Sequence, residues 1–500
     1  MTLPARQLEK GIVGYGDRAR ARRAFSKLMR GEPITAAVLG GSVTFGQGAR
    51  QPGVTDYASR ALAWINATFP HPGHVLVRSG VGGAISSYFA LCTELHMPSD
   101  ADLVILEFAV NDVNPDHRRG HERLIRKLLA FPRRPAVVEM VHYRQPWAPS
   151  APEVPFRWMN DDENAIQAAY YRLPHLAVRS LVWGQMQVPR PEQLSGEDPN
   201  DHLHGYPSVD DIPGGRFSFM YLDAFGHPNE QGHRWISELV IHWMQRQLED
   251  LAARPLGPED EQEAREDLPP PLYPNNTAPA TSACYVGEVV QQLVVAKDAA
   301  WEWKHEGAIE KKKFGFISEL PGSSLTLQVN TSGAPASSGG GASADNTTVA
   351  VTIAFLRSYE HMGHFMVECT QGCSCEPLRL DGIHKLDNSL LSMESLQATR
   401  SDACRLRVTV LPDTSSPDKE HKVKILGLIV SDQPPRELSD AFMSWSLSQA
   451  RDGVLSGQQA AAQQVAGQVP GQQAAAQQVA AGQQEAAQPQ GGGQAAGGGG

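Results

Sequence analysis

What most constrains this 500-residue chain is a change of hydrophobic period part-way along it. Up to about residue 250, short continuous apolar runs alternate with longer segments of helical spacing. The runs are TAAVLG (35–40), HVLVRS (74–79), ADLVILEFA (101–109) and PAVVEMVHY (135–143); the helical segments include DYASRALAWINATF (56–69) and HERLIRKLLAF (121–131). A strand that is apolar at every position is covered on both faces, and strands separated by helices pair in parallel. This half is therefore predicted to be a three-layer α/β/α domain around a parallel sheet. HLAVRSLVW (175–183) fits either a strand or a helix. Residues 230–250 read as a closing helix that buries Trp235, Leu239, Ile241, Trp243 and Met244. From 284 the pattern changes. SSLTLQV, TTVAVTIAFL, HFMVEC, CRLRVTVL and HKVKILGLIV alternate apolar and polar residues, the mark of an antiparallel β-sandwich-like domain.

Boundaries follow from composition. Residues 1–252 form the α/β domain. Residues 253–283 join an acidic run, EDEQEARED, to PPPLYP and NNTAPATS, and read as a linker that leaves the two folded parts separable. The β domain spans 284–432, with SGAPASSGGGASADN (332–346) as a flexible loop inside it. Residues 433–500 are a low-complexity Gln/Ala/Gly tail, disordered from about 453, where one charge (Glu485) stands in 48 residues.

Lys plus Arg is 44 and Asp plus Glu is 55, so the net charge is −11. This argues against a nucleic-acid partner, which would need a basic face. No apolar run is long enough to span a membrane. Charge is distributed unevenly. Residues 259–267 carry six acids against one Arg, and residues 1–30 carry eight Lys or Arg against two acids. RARARRAFSKLMR (18–30) places Arg20, Arg23, Lys27 and Arg30 at helical spacing with Arg22 beside them, and reads as a solvated helix face with Phe25, Leu28 and Met29 turned inward, the alternative being a membrane-surface or targeting segment. The amino terminus has no apolar core of a secretory signal, so the compartment is left unassigned; a secretory route would need a longer amino terminus. N-x-S/T sequons stand at Asn66, Asn275, Asn330 and Asn346. The six cysteines, Cys92, Cys284, Cys369, Cys373, Cys375 and Cys404, are expected to pair as disulfides or to stay buried as thiols.

Four short segments carry residue types suited to chemistry. LGGSVTFGQG places Ser42 just after the first strand, at the carboxyl edge of the sheet, where open α/β folds put their sites. It lacks the lysine of a phosphate-binding P-loop. RSGVGGAISS follows the second strand with Gly80, Gly82 and Gly83. EFAVNDVN puts Asn111 at the end of the third. LDAFGHPNEQGHRW brings Asp223 and His227 up to the closing helix. Alone, each reads as a turn or a helix cap.

In this order the four segments resemble the blocks of the SGNH, or GDSL-type, esterase superfamily over about residues 30–250. The β domain, through LRSYEHMGHFMVECTQGCSCEPL and KVKILGLIV, resembles the one appended to SGNH-type proteins of plants and green algae. The resemblance implies a serine esterase or acyl hydrolase working through an acyl-enzyme. Ser42 would be the nucleophile and His227 the base. The amides of Ser42 and Gly83 (or Gly80) and the side chain of Asn111 would form an oxyanion hole. The implied substrate is a small ester or an O-acetylated carbohydrate, with no cofactor and no metal. A catalytically silent carbohydrate-binding or scaffolding protein and a sugar O-acyltransferase are the alternatives. Two positions depart from the family pattern. The usual Gly-Asp-Ser is Gly-Gly-Ser, with Gly41 in the middle. The acid that stands three residues before the histidine is replaced by Ala224, so either Asp223 orients His227 through a longer turn or the site is a Ser–His dyad. His233 is expected to cap or pack near the final helix. His202, His204, His361 and His364 could suggest zinc, but the cysteine spacings are not those of a structural zinc site.

Overall fold

The computed structural model describes residues 1–112, 117–142, 160–186, 220, 226–279, 282–306, 313–332, 347–385 and 390–432. Asp223, His202, His204, the glycine-rich loop from 333 and the tail from 433 lie outside these residues. The first part runs α1 (Ala5–Lys10), β1 (Ile12–Gly14), α2 (Ala19–Met29), β2 (Thr35–Gly40), α3 (Ser42–Phe45), α4 (Tyr57–Thr68), β3 (Val75–Gly80), α5 (Ser86–His96) and β4 (Leu103–Glu107). It continues with α6 (His117–Leu129), β5 (Ala136–Val141), α7 (Asn160–Tyr170), β6 (His175–Ala177), α8 (Val178–Met186), α9 (Glu230–Ala253) and α10 (Pro258–Glu263).

The first sheet has the order β1-β6-β5-β4-β2-β3. It is parallel except for β1, which pairs antiparallel with β6. Every residue of β2, β4 and β5 is buried, as continuous apolar strands between two helical layers require. The chain enters the sheet interior at β2, steps outward to β3, then crosses back to β4 on the other side. Ligand sites of open α/β sheets form at the carboxyl ends of strands at such a reversal. HLAVRSLVW is both alternatives in turn, β6 and then α8. In α9, Trp235, Leu239, Trp243 and Met244 are buried as expected. Ile241 is only half-buried, and Ile236 and Val240 complete the inward face instead.

The second part is a sandwich of two antiparallel sheets. Its strands are β7 (Ser282–Val286), β8 (Val294–Lys297), β9 (Glu302–Glu306), β10 (Lys313–Ser318), β11 (Ser324–Val329), β12 (Thr348–Arg357), β13 (His364–Gln371), β14 (Leu378–Asp381), β15 (Leu390–Thr399), β16 (Cys404–Val410) and β17 (Val423–Ser431). One sheet runs β15-β12-β17-β10-β9, with β7 also paired to β17; the other runs β14-β13-β16-β11-β8. β11 and β16 bury alternate residues, with one face solvated. β12 and β17 are buried almost throughout. Val349, Val351, Ile353 and Phe355 fill the sandwich core. Ala354, Met393 and Ile429 instead join one apolar cluster with Ile85, just before α5, Phe89 of α5, and Leu124 and Leu128 of α6.

Residues after 252 pack against the α/β part, and Arg22, beside the basic helix face, is not in solvent. Arg22 is fully buried: its Nε donates to Asp260 Oδ1 at 2.8 Å, and its guanidinium also meets Asp250 and the carbonyl of Pro255. The acidic run supplies the counter-charge for the basic amino terminus. Met29, by contrast, is 50% exposed. Further along, Glu122 of α6 accepts hydrogen bonds from the Asn276 side chain (2.6 Å) and the Tyr273 backbone (3.2 Å), and Arg126 donates to Pro269 O at 2.8 Å. All six cysteines are paired, as Cys92–Cys284, Cys369–Cys375 and Cys373–Cys404. The first ties α5 to β7. A chain ending at Arg254 removes Asp260 and the cover over α5 and α6. It is expected to aggregate on size-exclusion chromatography, because buried Arg22 keeps Asp250 but loses Asp260 and a large apolar face meets water. A soluble monomer with cooperative unfolding would show that the α/β part folds alone.

Candidate active site

β2 ends at Gly40, and Ser42 opens the single turn α3, which Gly46 closes at φ +98°. This places Ser42 at the carboxyl edge of the sheet, 6% exposed, with Oγ 2.8 Å from Nε2 of His227. His227 stands just before α9. Asn229 caps that helix by accepting from Gly232 N–H at 3.0 Å. Glu230 ties the helix start to the segment after α3, accepting from Arg50 N–H and the Thr55 hydroxyl (both 2.9 Å) and from Arg60 (2.6 Å). The GHPNEQGH segment is thus a short brace that turns His227 toward Ser42.

Asn111 follows β4 in a turn closed by its N–H on Phe108 O at 2.9 Å. Its carboxamide lies over Gly41. A Cβ on Gly41 would fall 2.1 Å from Asn111 Oδ1, so a side chain there would require the Asn111 carboxamide to shift. Gly83 lies on the turn after β3 at φ +74°, a backbone conformation that disfavours a Cβ, and is exposed. Gly80 is wedged beneath α3, where a Cβ would meet Phe45 N at 2.0 Å.

Beneath these turns lies a buried polar array that the sequence reading passed over. Asp112 Oδ1 accepts from Ser86 N–H at 3.0 Å, joining the turn of Asn111 to the start of α5. His121 lies between Asp112 Oδ2 (3.5 Å) and Glu139 Oε2 (2.9 Å). Burial alone would lower its pKa, but the two carboxylates outweigh that and raise it to about 10, so the ring is an imidazolium. Glu107 is fully buried, and neither of its oxygens has a hydrogen-bond partner among the described residues. Burial and the nearby Glu139 and Asp112 push its pKa well above the usual carboxyl range, which keeps it neutral.

Two more histidines flank His227. His142, at the end of β5, donates Nε2–H to Gly226 O at 2.7 Å, fixing the residue before His227. Burial lowers its pKa to about 3. His233 donates Nε2–H to Gln47 O at 3.0 Å, and burial lowers its pKa to about 4. His96 is likewise lowered to about 4 by burial. A buried neutral histidine binds fewer protons than it does in the unfolded chain below about pH 6.5. The stability this gives is present above that pH and is lost as pH falls toward the folded value. His121 acts in the opposite sense, by less over this window. Unfolding free energy is expected to drop by about 2 kcal/mol between pH 7 and pH 5.5, read from urea midpoints at the two pH values. A midpoint that does not fall would contradict neutral His142 and His233.

The structure thus brings Ser42 and His227 into contact, sets Asn111 against Gly41 beside them, and leaves Asp223 outside the described residues. The six cysteines are all in disulfides, and in the β domain His361 lies against Asp418 and Glu420 and His364 against Asp413. No protein-family model matches the chain, and no curated protein matches it by sequence. Solved structures do match its fold. A two-domain esterase active on acetylated mannans superposes with a TM-score of 0.57 at 18% identity, over 85% of this chain and 99% of that one. Such an esterase co-crystallised with mannopentaose gives 0.55 at 18% identity, over 85% and 98%. The chain therefore shares the two-domain fold of those structures, an α/β domain followed by a β domain.

Proposed function

We propose that the protein is a serine esterase that removes acetyl groups from an O-acetylated carbohydrate through an acyl-enzyme on Ser42. The observation that carries this is the 2.8 Å contact between Ser42 Oγ and His227 Nε2 at the carboxyl edge of the sheet. A hydroxyl is a weak nucleophile until a base takes its proton, and a neutral imidazole at hydrogen-bond distance is such a base. Ser42 Oγ attacks the ester carbonyl carbon as His227 accepts the proton. The oxyanion of the tetrahedral intermediate takes hydrogen bonds from the Ser42 and Gly83 amides and the Asn111 carboxamide, each donor worth about 3 kcal/mol of barrier. His227 returns the proton to the departing sugar oxygen. It then activates water, which releases acetate and restores Ser42. A sugar hydroxyl in place of that water would give acyl transfer by the same route.

Acetylated mannan is the first substrate to try, since the esterase of similar fold acts on acetylated mannans. Acetate release from acetylated mannan should exceed release from aryl esters of longer acids. Hydrolysis of aryl acetates with no acetate from any acetylated polysaccharide would keep the esterase and remove the carbohydrate. The three disulfides support maturation in an oxidising compartment.

A further inference from the structure

We propose that Asp112 is a positioning residue for the Asn111 carboxamide, anchored to the first residue of α5 and to His121 so that the turn from which Asn111 reaches the oxyanion is fixed. This rests on the reading of Asn111 as an oxyanion donor. Asn111 has little of its own to hold it. Its turn closes on one carbonyl, Phe108 O, which accepts both the Asn111 N–H at 2.9 Å and the Asp112 N–H at 2.8 Å. Asn111 Oδ1 has no hydrogen-bond partner among the described residues. An oxyanion donor that must be ordered during the reaction stabilises the transition state less than one already in place.

The next residue supplies the anchor. Asp112 is 2% exposed, and its Oδ1 accepts from Ser86 N–H at 3.0 Å. Ser86 opens α5, so this N–H has no partner within the helix, and a carboxylate there also meets the positive end of the helix dipole. Asp112 Oδ2 lies 3.5 Å from Nδ1 of His121 on α6, and Nε2 of the same ring lies 2.9 Å from Oε2 of Glu139 on β5. Asn164 of α7 donates to the other Glu139 oxygen at 2.8 Å. His121, Glu139 and Asn164 are all buried. A line of contacts from α7 through β5 and α6 therefore ends on the residue beside Asn111, and α5 grips that residue from its other oxygen. Buried ionisable groups hold helices together no better than apolar packing does, so stability alone gives no reason for this array. What it does uniquely is fix one loop position at the carboxyl edge of the sheet.

The test uses the full chain and an aryl acetate. Asp112→Ala removes the anchor. Ser86→Pro removes its donor from the other side and is the variant expected to fold: the first position of a helix accepts proline, and Ile85 before it is already extended at φ −103° and ψ 163°. Each should lower kcat about tenfold with KM changed by less than about twofold, because an oxyanion donor acts on the transition state and not on the bound ester. Asp112→Asn keeps an acceptor for Ser86 N–H and should recover most of the loss. The deciding readout is a double-mutant cycle. Asn111→Ala alone should lower kcat about 100-fold, and adding Ser86→Pro to it should cost less than about threefold more, since no carboxamide is left to position. A further loss of about tenfold in that background, or folded single variants with kcat within about twofold of wild type, would overturn the proposal. If Asn111→Ala is without effect in a chain that hydrolyses esters and labels at Ser42, the oxyanion reading falls first and this inference with it.

Discussion

Ser42→Ala is expected to abolish ester hydrolysis and leave the protein folded. The hydroxyl is the atom that forms and loses the acyl bond, so its removal should lower kcat by at least about 10⁴-fold, or about 5 kcal/mol of barrier. The structural cost is small. Ser42 stands at the start of a single turn, and the bond lost with its hydroxyl is the one to His227 Nε2, worth about 1 kcal/mol to stability. Turnover and a urea melt on the same preparation separate the two effects. A variant that keeps more than about a tenth of wild-type turnover, a change under about 1.4 kcal/mol, would remove Ser42 from the role of nucleophile.

Asp223→Asn has the second largest expected effect, a fall in kcat of about 10⁴-fold with little change in KM. A carboxylate on Nδ1 holds the histidine in the tautomer that can accept the serine proton and stabilises the imidazolium that forms; losing that role costs a serine protease about this much. Asp223 is the only acid from Arg216 up to His227. A loss of only a few-fold would mean a Ser–His dyad.

What could be read from the sequence was whatever a local pattern encodes. β2, β4 and β5 are apolar at nearly every position, Thr35, Glu107 and Glu139 excepted, because helices cover both faces, and that run of apolar residues announced a parallel sheet. Ser42, Gly83 and Asn111 could be placed because each follows a strand, and strand ends are marked by the loss of apolar residues. The rest depended on pairings between distant segments. Arg22 meets Asp260 across 238 residues, so neither the basic run nor the acidic run could show that each neutralises the other. β12 is buried almost throughout because one side fills the sandwich core while Ala354, on the other, joins the apolar cluster of α5 and α6. That Asn111 lies against Gly41 could not be seen from either segment alone. His142 gave no signal beyond ending an apolar run. His233 was visible in GHPNEQGH, but its work is done on Gln47, 186 residues earlier.

The most direct test of the central claim is labelling of the intact protein with a fluorophosphonate, followed by peptide mass spectrometry. Such a probe reacts with a serine only when a base and an oxyanion hole activate it. Stoichiometric label on the peptide carrying Ser42, absent from Ser42→Ala and much reduced in His227→Ala, is the predicted result. A folded wild-type protein that takes up no label, or takes it up on another serine, would contradict a Ser42 acyl-enzyme and leave the two-domain fold without the chemistry assigned to it.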